Sequence, residues 1–138
     1  MRYCDLPAAN DAIKAVLLVS SGLVADGTLK RYASISSLLA GASDEATFTG
    51  YSRSTLANVV VTTDNTTNDW VTVDCDDPSW SPTSAQALGK IVFYYDPDTT
   101  SSSDSNNIPL FADDFVFTTP TSGTVTYQVA TGGFAKDS

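Results

Sequence analysis

The sequence has no histidine among its 138 residues, a single glutamate (Glu45), one methionine and two cysteines. Without histidine, neither a Ser-His-Asp nor a Cys-His nucleophile system can be assembled, and histidine-based zinc and iron sites are excluded too. Cations are equally sparse. Seven Lys and Arg stand against sixteen Asp and Glu, for a formal net charge of −9. Scattered cations cannot track a phosphate backbone, so nucleic acid is not an expected partner. No apolar run approaches the roughly twenty residues of a membrane helix, and the best candidate, Ala12 to Val19, is interrupted by Lys14. No membrane partner is therefore expected. The N-terminal run MRYCDLP lacks the apolar stretch of a secretory signal, so the expectation is a chain folded in a cytoplasm. Cys4 and Cys75 lie far apart without companion soft ligands, and are expected as reduced, partly buried thiols rather than a disulfide or a metal site.

What remains is a β composition. Hydrophobic residues make up 42% and charged residues only 17%, against a globular norm near 25% charged. Serine and threonine fill the gap at about a quarter of the chain. Aspartate favours turns and caps, whereas glutamate builds helices, so an Asp-, Thr- and Val-rich chain leans towards strands joined by polar loops. The length suits one domain with a real core.

Along the chain, Asp11 to Ser20 reads as a buried strand or a short helical turn, because Val16 to Val19 is apolar at every position. Leu29, Tyr32, Ile35, Leu38 and Leu39 then recur at helical spacing, and Gly41 sits where a helix stop belongs, predicting one short helix over Thr28 to Leu39. From Phe48 the text turns to β. Gly50-Tyr51-Ser52 reads as a corner, Leu56 to Thr63 as a strand, and Trp70 to Cys75 as its hairpin partner with a tip near Thr66. In that partner Val71, Val73 and Cys75 would face one way, and Trp70, Thr72 and Asp74 the other.

Asp76 to Pro82 is expected to be a loop, since Pro78 and Pro82 lack ladder donors. Ala87 to Tyr95 is the strongest strand and should be covered on both faces. Asp96 to Asn107 is a long polar loop expected to project. Ile108 to Thr118 follows as a strand, and Val125, Tyr127 and Val129 alternate in a last one. The expected architecture is mainly β: a single-domain β-sandwich or β-barrel of about six strands with one short helix. Residues 1–10 would form an N-terminal arm, 11–131 the β domain, and 132–138 a C-terminal tail that is loose or a contact arm.

Few residues invite a chemical reading. Asp74, Asp76 and Asp77, close to Trp80, could supply oxygens to calcium, as could Asp96, Asp98 and Asp104. Neither set has the spacing of a helix–loop–helix calcium site, nor a closing glutamate. The plainer reading, carboxylates that cap strand ends and make turns, is favoured for both. Asp113 and Asp114 are adjacent on a strand and so point to opposite faces, not to one substrate. No Ser-x-x-Lys match occurs. Asn65-Thr66-Thr67 reads as an incidental turn, and Gly132-Gly133 is too short for a phosphate loop. No catalytic, cofactor-binding or metal residue is assigned, no cofactor is expected, and the chain reads as a non-enzyme. Among the aromatics, Tyr51, Trp80, Tyr94 and Tyr95 are expected mostly in the core, with some at a protein interface. Trp70 and Trp80 would be the stacking platforms if the chain were instead a carbohydrate-binding β-sandwich.

Several segments in this order carry a resemblance. They are DAIKAVLLVSS, the Thr49-Gly50-Tyr51 corner, VDCDDPSW, ALGKIVFYYD, IPLFADDF and TVTYQV. The chain resembles small structural proteins of tailed bacteriophages, with a T-G-Y corner before an aspartate-rich loop closed by tryptophan and an aromatic-rich strand. The likeness runs from about Asp11 to Val129. It implies a virion structural protein, foremost a capsid decoration (cement) protein on the capsid exterior, binding the major capsid protein as a homotrimer. A head–tail connector, neck, tail or head-fibre component is the alternative.

Overall fold

The computed structural model describes residues 10–41, 43–64, 70–101, 103–130 and 135–137. Cys4, residues 1–9 of the expected arm, the Asn65-Thr66-Thr67 hairpin tip and Gly132-Gly133 lie outside them. The fold is mainly β, as its composition requires. Strands β1 (Ala12–Val19), β2 (Ser54–Thr55), β6 (Ala87–Asp96) and β7 (Ile108–Thr118) form an antiparallel sheet in the order β2-β1-β6-β7. A second sheet takes β3 (Val60–Asp64), β4 (Trp70–Asp74) and β9 (Ala135–Asp137) in that order, and β5 (Ser79–Trp80) pairs with β8 (Val125–Thr126). Among the described residues the sheets do not close into a barrel.

The main sheet is covered twice, which explains why β1 and β6 are apolar at almost every position. On one face Ile13, Ala15, Leu17, Ile91 and Phe93 pack with Val73 of β4, Trp80 of β5, Phe48, Leu56 and Tyr127. On the other, Val16, Leu18, Val92 and Tyr94 meet Leu29, Ile35 and Leu38. Those three leucine and isoleucine residues belong to α1 (Asp26–Leu29) and α2 (Ile35–Gly41). The arrangement is sandwich-like, with helices replacing part of one layer.

The single helix expected over Thr28 to Leu39 is therefore two. Serine explains the break: the Ser34 hydroxyl accepts from Ser37 N (3.2 Å) and its carbonyl from Leu38 N (3.0 Å), so Ser34 starts a new helix instead of continuing the old one. The N–H groups of Ile35 and Ser36 are satisfied from outside, by the carbonyls of Asn107 and Asp104 at 2.9 and 3.1 Å.

Other expectations are corrected by similarly local causes. The strand predicted from Leu56 starts only at Val60. Leu56 N still donates to Ile13 O (2.9 Å), extending the β1–β2 pairing, and Asn58 then turns the chain with a φ of 53° into the second sheet. The expected loop Asp76 to Pro82 contains the short strand β5, with Pro78 and Pro82 kept just outside its ladder. In β4, Thr72 is buried alongside Val73, so the two faces do not divide cleanly into inside and outside. The last predicted strand keeps its alternation, with Tyr127 buried between exposed Thr126 and Gln128, but only two residues pair. Ala135–Asp137 of the supposed tail pairs with Val71 to Val73 and so extends the second sheet instead of standing off as an arm.

The corner at Gly50 is made by a φ of +94°, and a Cβ there would lie 2.3 Å from the Ser81 carbonyl oxygen. The corner thus sits directly against the segment that follows Trp80. Trp80 is 4% exposed and its indole N–H donates to Ser52 O at 2.8 Å. It is a core pillar between the corner and the second layer, and cannot serve as a stacking platform for sugar. Replacing Trp80 with Ala should cost about 3–5 kcal/mol. Trp80→Phe should cost less, because it keeps most of the ring and loses a hydrogen bond worth about 1 kcal/mol. Urea denaturation monitored by circular dichroism measures both; an Ala variant as stable as the parent would place Trp80 outside the core.

Candidate functional site

The densest collection of polar side chains lies where β2 meets the loop between β6 and β7. β2 is only two residues long, so the part of β1 beyond Ala15 has no strand partner on that side. The main chain of residues 44–46 takes over: Ala46 N donates to Leu17 O (2.9 Å) and Val19 N to Asp44 O (3.0 Å). Leu17 N is satisfied by the Tyr51 hydroxyl at 3.2 Å. This detour places Glu45, the only glutamate, beside Tyr51 and Arg53.

Arg53 is the hub. Its Nε and Nη2 donate to the two oxygens of Glu45 at 2.8 and 2.7 Å. Nη1 and Nη2 donate to the two oxygens of Asp104 at 2.5 and 2.9 Å. The guanidinium thus holds two carboxylates in fork geometry, which a lysine could not reproduce. It also lies 5.8 Å from the centre of the Tyr94 ring. The Tyr51 hydroxyl donates to Glu45 Oε1 at 2.8 Å, and Lys14 Nζ to Asp96 Oδ2 at 2.8 Å. Asn107 Nδ2 completes the set on Asp104 at 3.2 Å. A cleft of about 380 Å³ opens between Lys14, Arg53, Tyr94 and Asp104.

The electrostatics follow from this geometry. Hydrogen bonds donated to Glu45 and Asp104 raise the Arg53 pKa, so its charge is permanent. The same contact holds the Asp104 carboxyl below its ordinary value. Burial is the main cause that pushes the Tyr51 hydroxyl up, with the Glu45 charge adding to it. Burial likewise raises Tyr94. Each charge in the cleft already has a protein partner of opposite sign, and the whole assembly ties the loop after β6 to the sheet and to the start of α2.

The candidate calcium residues are distributed differently from a metal site. Asp74 Oδ1 accepts from Cys75 N (2.9 Å), Asp76 Oδ2 from Asn58 Nδ2 (2.7 Å) and Asp77 Oδ1 from Val129 N (2.8 Å). Asp98 accepts from Thr100 N and Oγ1 at 3.0 and 2.5 Å, a closed turn within its own loop. Asp96 is buried against Lys14, and Asp104 half-buried against Arg53, so the base of this loop docks on the sheet, while its tip around Thr99 to Ser101 is exposed. Among the described residues no three His, Cys, Asp or Glu side chains gather as metal ligands. Asp113 and Asp114 do face opposite ways: Asp113 accepts from the Tyr127 hydroxyl at 2.7 Å, and Asp114 pairs with Lys90. Cys75 is half-buried, and burial reinforced by Asp74, Asp76 and Asp77 pushes its thiol up to about 11.

Tyr94 is buried and Tyr51 half-buried, as core aromatics should be, whereas Tyr95 reaches the Asp11 carboxylate at 3.0 Å. The Arg53 hub itself is not apparent from sequence. Its one signal is the lone glutamate lying close to one of only seven cations. No helix among the described residues is long and apolar enough to cross a membrane. The chain matches no family model, no curated protein and no solved structure.

Because the folded Asp104 carboxyl titrates below its ordinary value of 3.8, its bond to Arg53 stabilises the fold above that pH and is lost as pH falls through the folded value. Asp104→Asn should therefore be less stable than the parent at pH 7 by about 1–3 kcal/mol. The gap should close below pH 3.8. Denaturant titrations of the two proteins across this range check it; a gap independent of pH would remove the carboxylate charge from the explanation.

Proposed function

We propose that this chain is a virion structural protein, and that it acts as a capsid decoration (cement) protein on the outside of the major capsid lattice. One observation carries the reading. The side chains capable of chemistry are bonded within the protein, Glu45, Tyr51, Arg53 and Asp104 to one another and Asp96 to Lys14, and hold the fold together instead of opening towards a substrate. A domain built in this way works by presenting a rigid surface.

The composition supports the same reading. A net charge of −9 and a Ser/Thr-rich exterior keep a protein soluble at high copy number before it adds to a preformed shell. The order of motifs from Asp11 to Val129, which resembles small phage structural proteins, gives the reading its biological setting. The proposed partner is the major capsid protein, and the proposed assembly a homotrimer on the lattice. No nucleic acid, membrane or cofactor enters the proposal.

Quantitative mass spectrometry of purified particles tests membership and stoichiometry together. The expected result is a copy number on the scale of the major capsid protein, with cryo-electron microscopy placing the chain on the shell exterior. A copy number of a single small ring, with density confined to the neck or tail, would replace the decoration role by that of a connector or tail component. Absence from the particle would end the virion reading.

A further inference from the structure

Within the main sheet β7 is paired on one side only, with β6, and no strand among the described residues lies against its other edge. At eleven residues it spans about 37 Å, and such an edge offers a row of backbone donors and acceptors to any extended chain. The helices do not reach across it. On the helix side of β7, Ala112 and Asp114 are exposed and Val116 is 74% exposed. Beside it, a cleft of about 560 Å³ runs between α1 and the strand, lined by Leu29, Tyr32, Leu38, Val92, Leu110 and Ala112.

Charge decides what can lie there. Lys90 is buried and bonded to two carboxylates, Asp26 of α1 at 2.8 Å and Asp114 of β7. Those carboxylates are 69% and 74% exposed, so the border of the cleft presents two anionic groups over one enclosed cation. Asp113, at the middle of the strand, is an exposed carboxylate of the opposite face that accepts from the Tyr127 hydroxyl. Pairing β7 with β7 of a second copy over its full length, antiparallel about its centre, sets Asp113 against Asp113, and parallel pairing opposes both aspartates. Like charges placed directly opposite destabilise a ladder. The strand is thus protected from its own copy while remaining open to a cationic one.

We infer that the edge of β7 opposite β6 is a docking site for an extended, lysine- or arginine-bearing segment of a partner protein. The added strand pairs with the β7 backbone, sets its cations on the helix side near Asp114 and Asp26, and lays its alternate, apolar side chains on the opposite face beside Phe115 and Phe117. Main-chain bonds supply affinity in this mode, and the carboxylates on the helix side supply selectivity. The inference rests on the reading of this chain as a binding protein, and does not depend on which particle component the partner is.

The test uses the full chain and fluorescently labelled peptides as long as β7: alternating valine and lysine, alternating valine and glutamate, and a valine–lysine peptide interrupted by prolines at unchanged charge. The continuous valine–lysine peptide should bind, and the other two should not. Val116→Lys, at an exposed position, should weaken binding about tenfold or more through like-charge juxtaposition, with an unchanged melting temperature. Val60→Lys makes the same charge change on β3, at the edge of the second sheet, and should bind like the parent. Equal binding of the proline-interrupted peptide would reduce the effect to bulk charge and overturn the inference. A loss in Val60→Lys that matches or exceeds the loss in Val116→Lys would overturn it too, as would a homodimer that Val116→Lys dissociates. Failure of peptide binding in a chain that mass spectrometry finds in the particle would refute the β7 site and leave the structural role standing.

Discussion

The pair of strands β1 and β6 governs the rest of the molecule. Residues 88–94 of β6 are buried without exception, and β1 is nearly so. A ribbon that is apolar on both faces has to be covered twice, and every amide along it has to find a partner. The first demand accounts for the two layers, helices on one side and the smaller sheets on the other. The second accounts for the detour through residues 44–46, which completes the hydrogen bonding of β1 where β2 ends.

From that detour the charged hub follows. Carrying the chain along β1 brings Glu45 to the rim of the buried ribbon, and the Gly50 corner returns it with Tyr51 and Arg53 on the same side. The Arg53 fork then reaches Asp104 in the loop after β6, and that loop supplies the carbonyls that start α2. One guanidinium therefore couples a loop, a corner and a helix start. Its contribution lies in conformational specificity as much as in net energy, because a half-buried pair gives back part of its attraction as desolvation.

The parts legible in the sequence were those set by short-range pattern. β6 stands out because its apolar run suits a strand covered on both faces, β1 likewise with a short helical turn as the alternative, β7 as a strand despite its polar step at Asp113-Asp114, and the corner at Gly50 because a positive φ favours glycine. The parts that escaped depend on distant partners. Ser34 starts a new helix only because Asn107 and Asp104 lie nearby to cap it. β5 hides between two prolines because its ladder is two residues long and its partner, Val125–Thr126, is remote in sequence. Arg53 is separated from Glu45 by 8 positions and from Asp104 by 51, a pairing no local pattern encodes. Trp80 seemed available to a ligand for the same reason, since only the folded chain closes the core around it.

Charge scarcity links the interior to the surface. Of the seven cations, Lys14, Arg53 and Lys90 are all committed to carboxylates at the margins of the core. Each of these cations is held by carboxylates at the margin of the core, so few cations are left to offset the acidic exterior and the outer field stays negative. Such a field disfavours association between copies and favours encounter with basic surfaces. An aspartate-centred edge strand is the local expression of the same rule. A sheet edge left open on an uncharged domain invites indiscriminate pairing, whereas here the residues that discourage self-pairing also define the chemistry of what can pair.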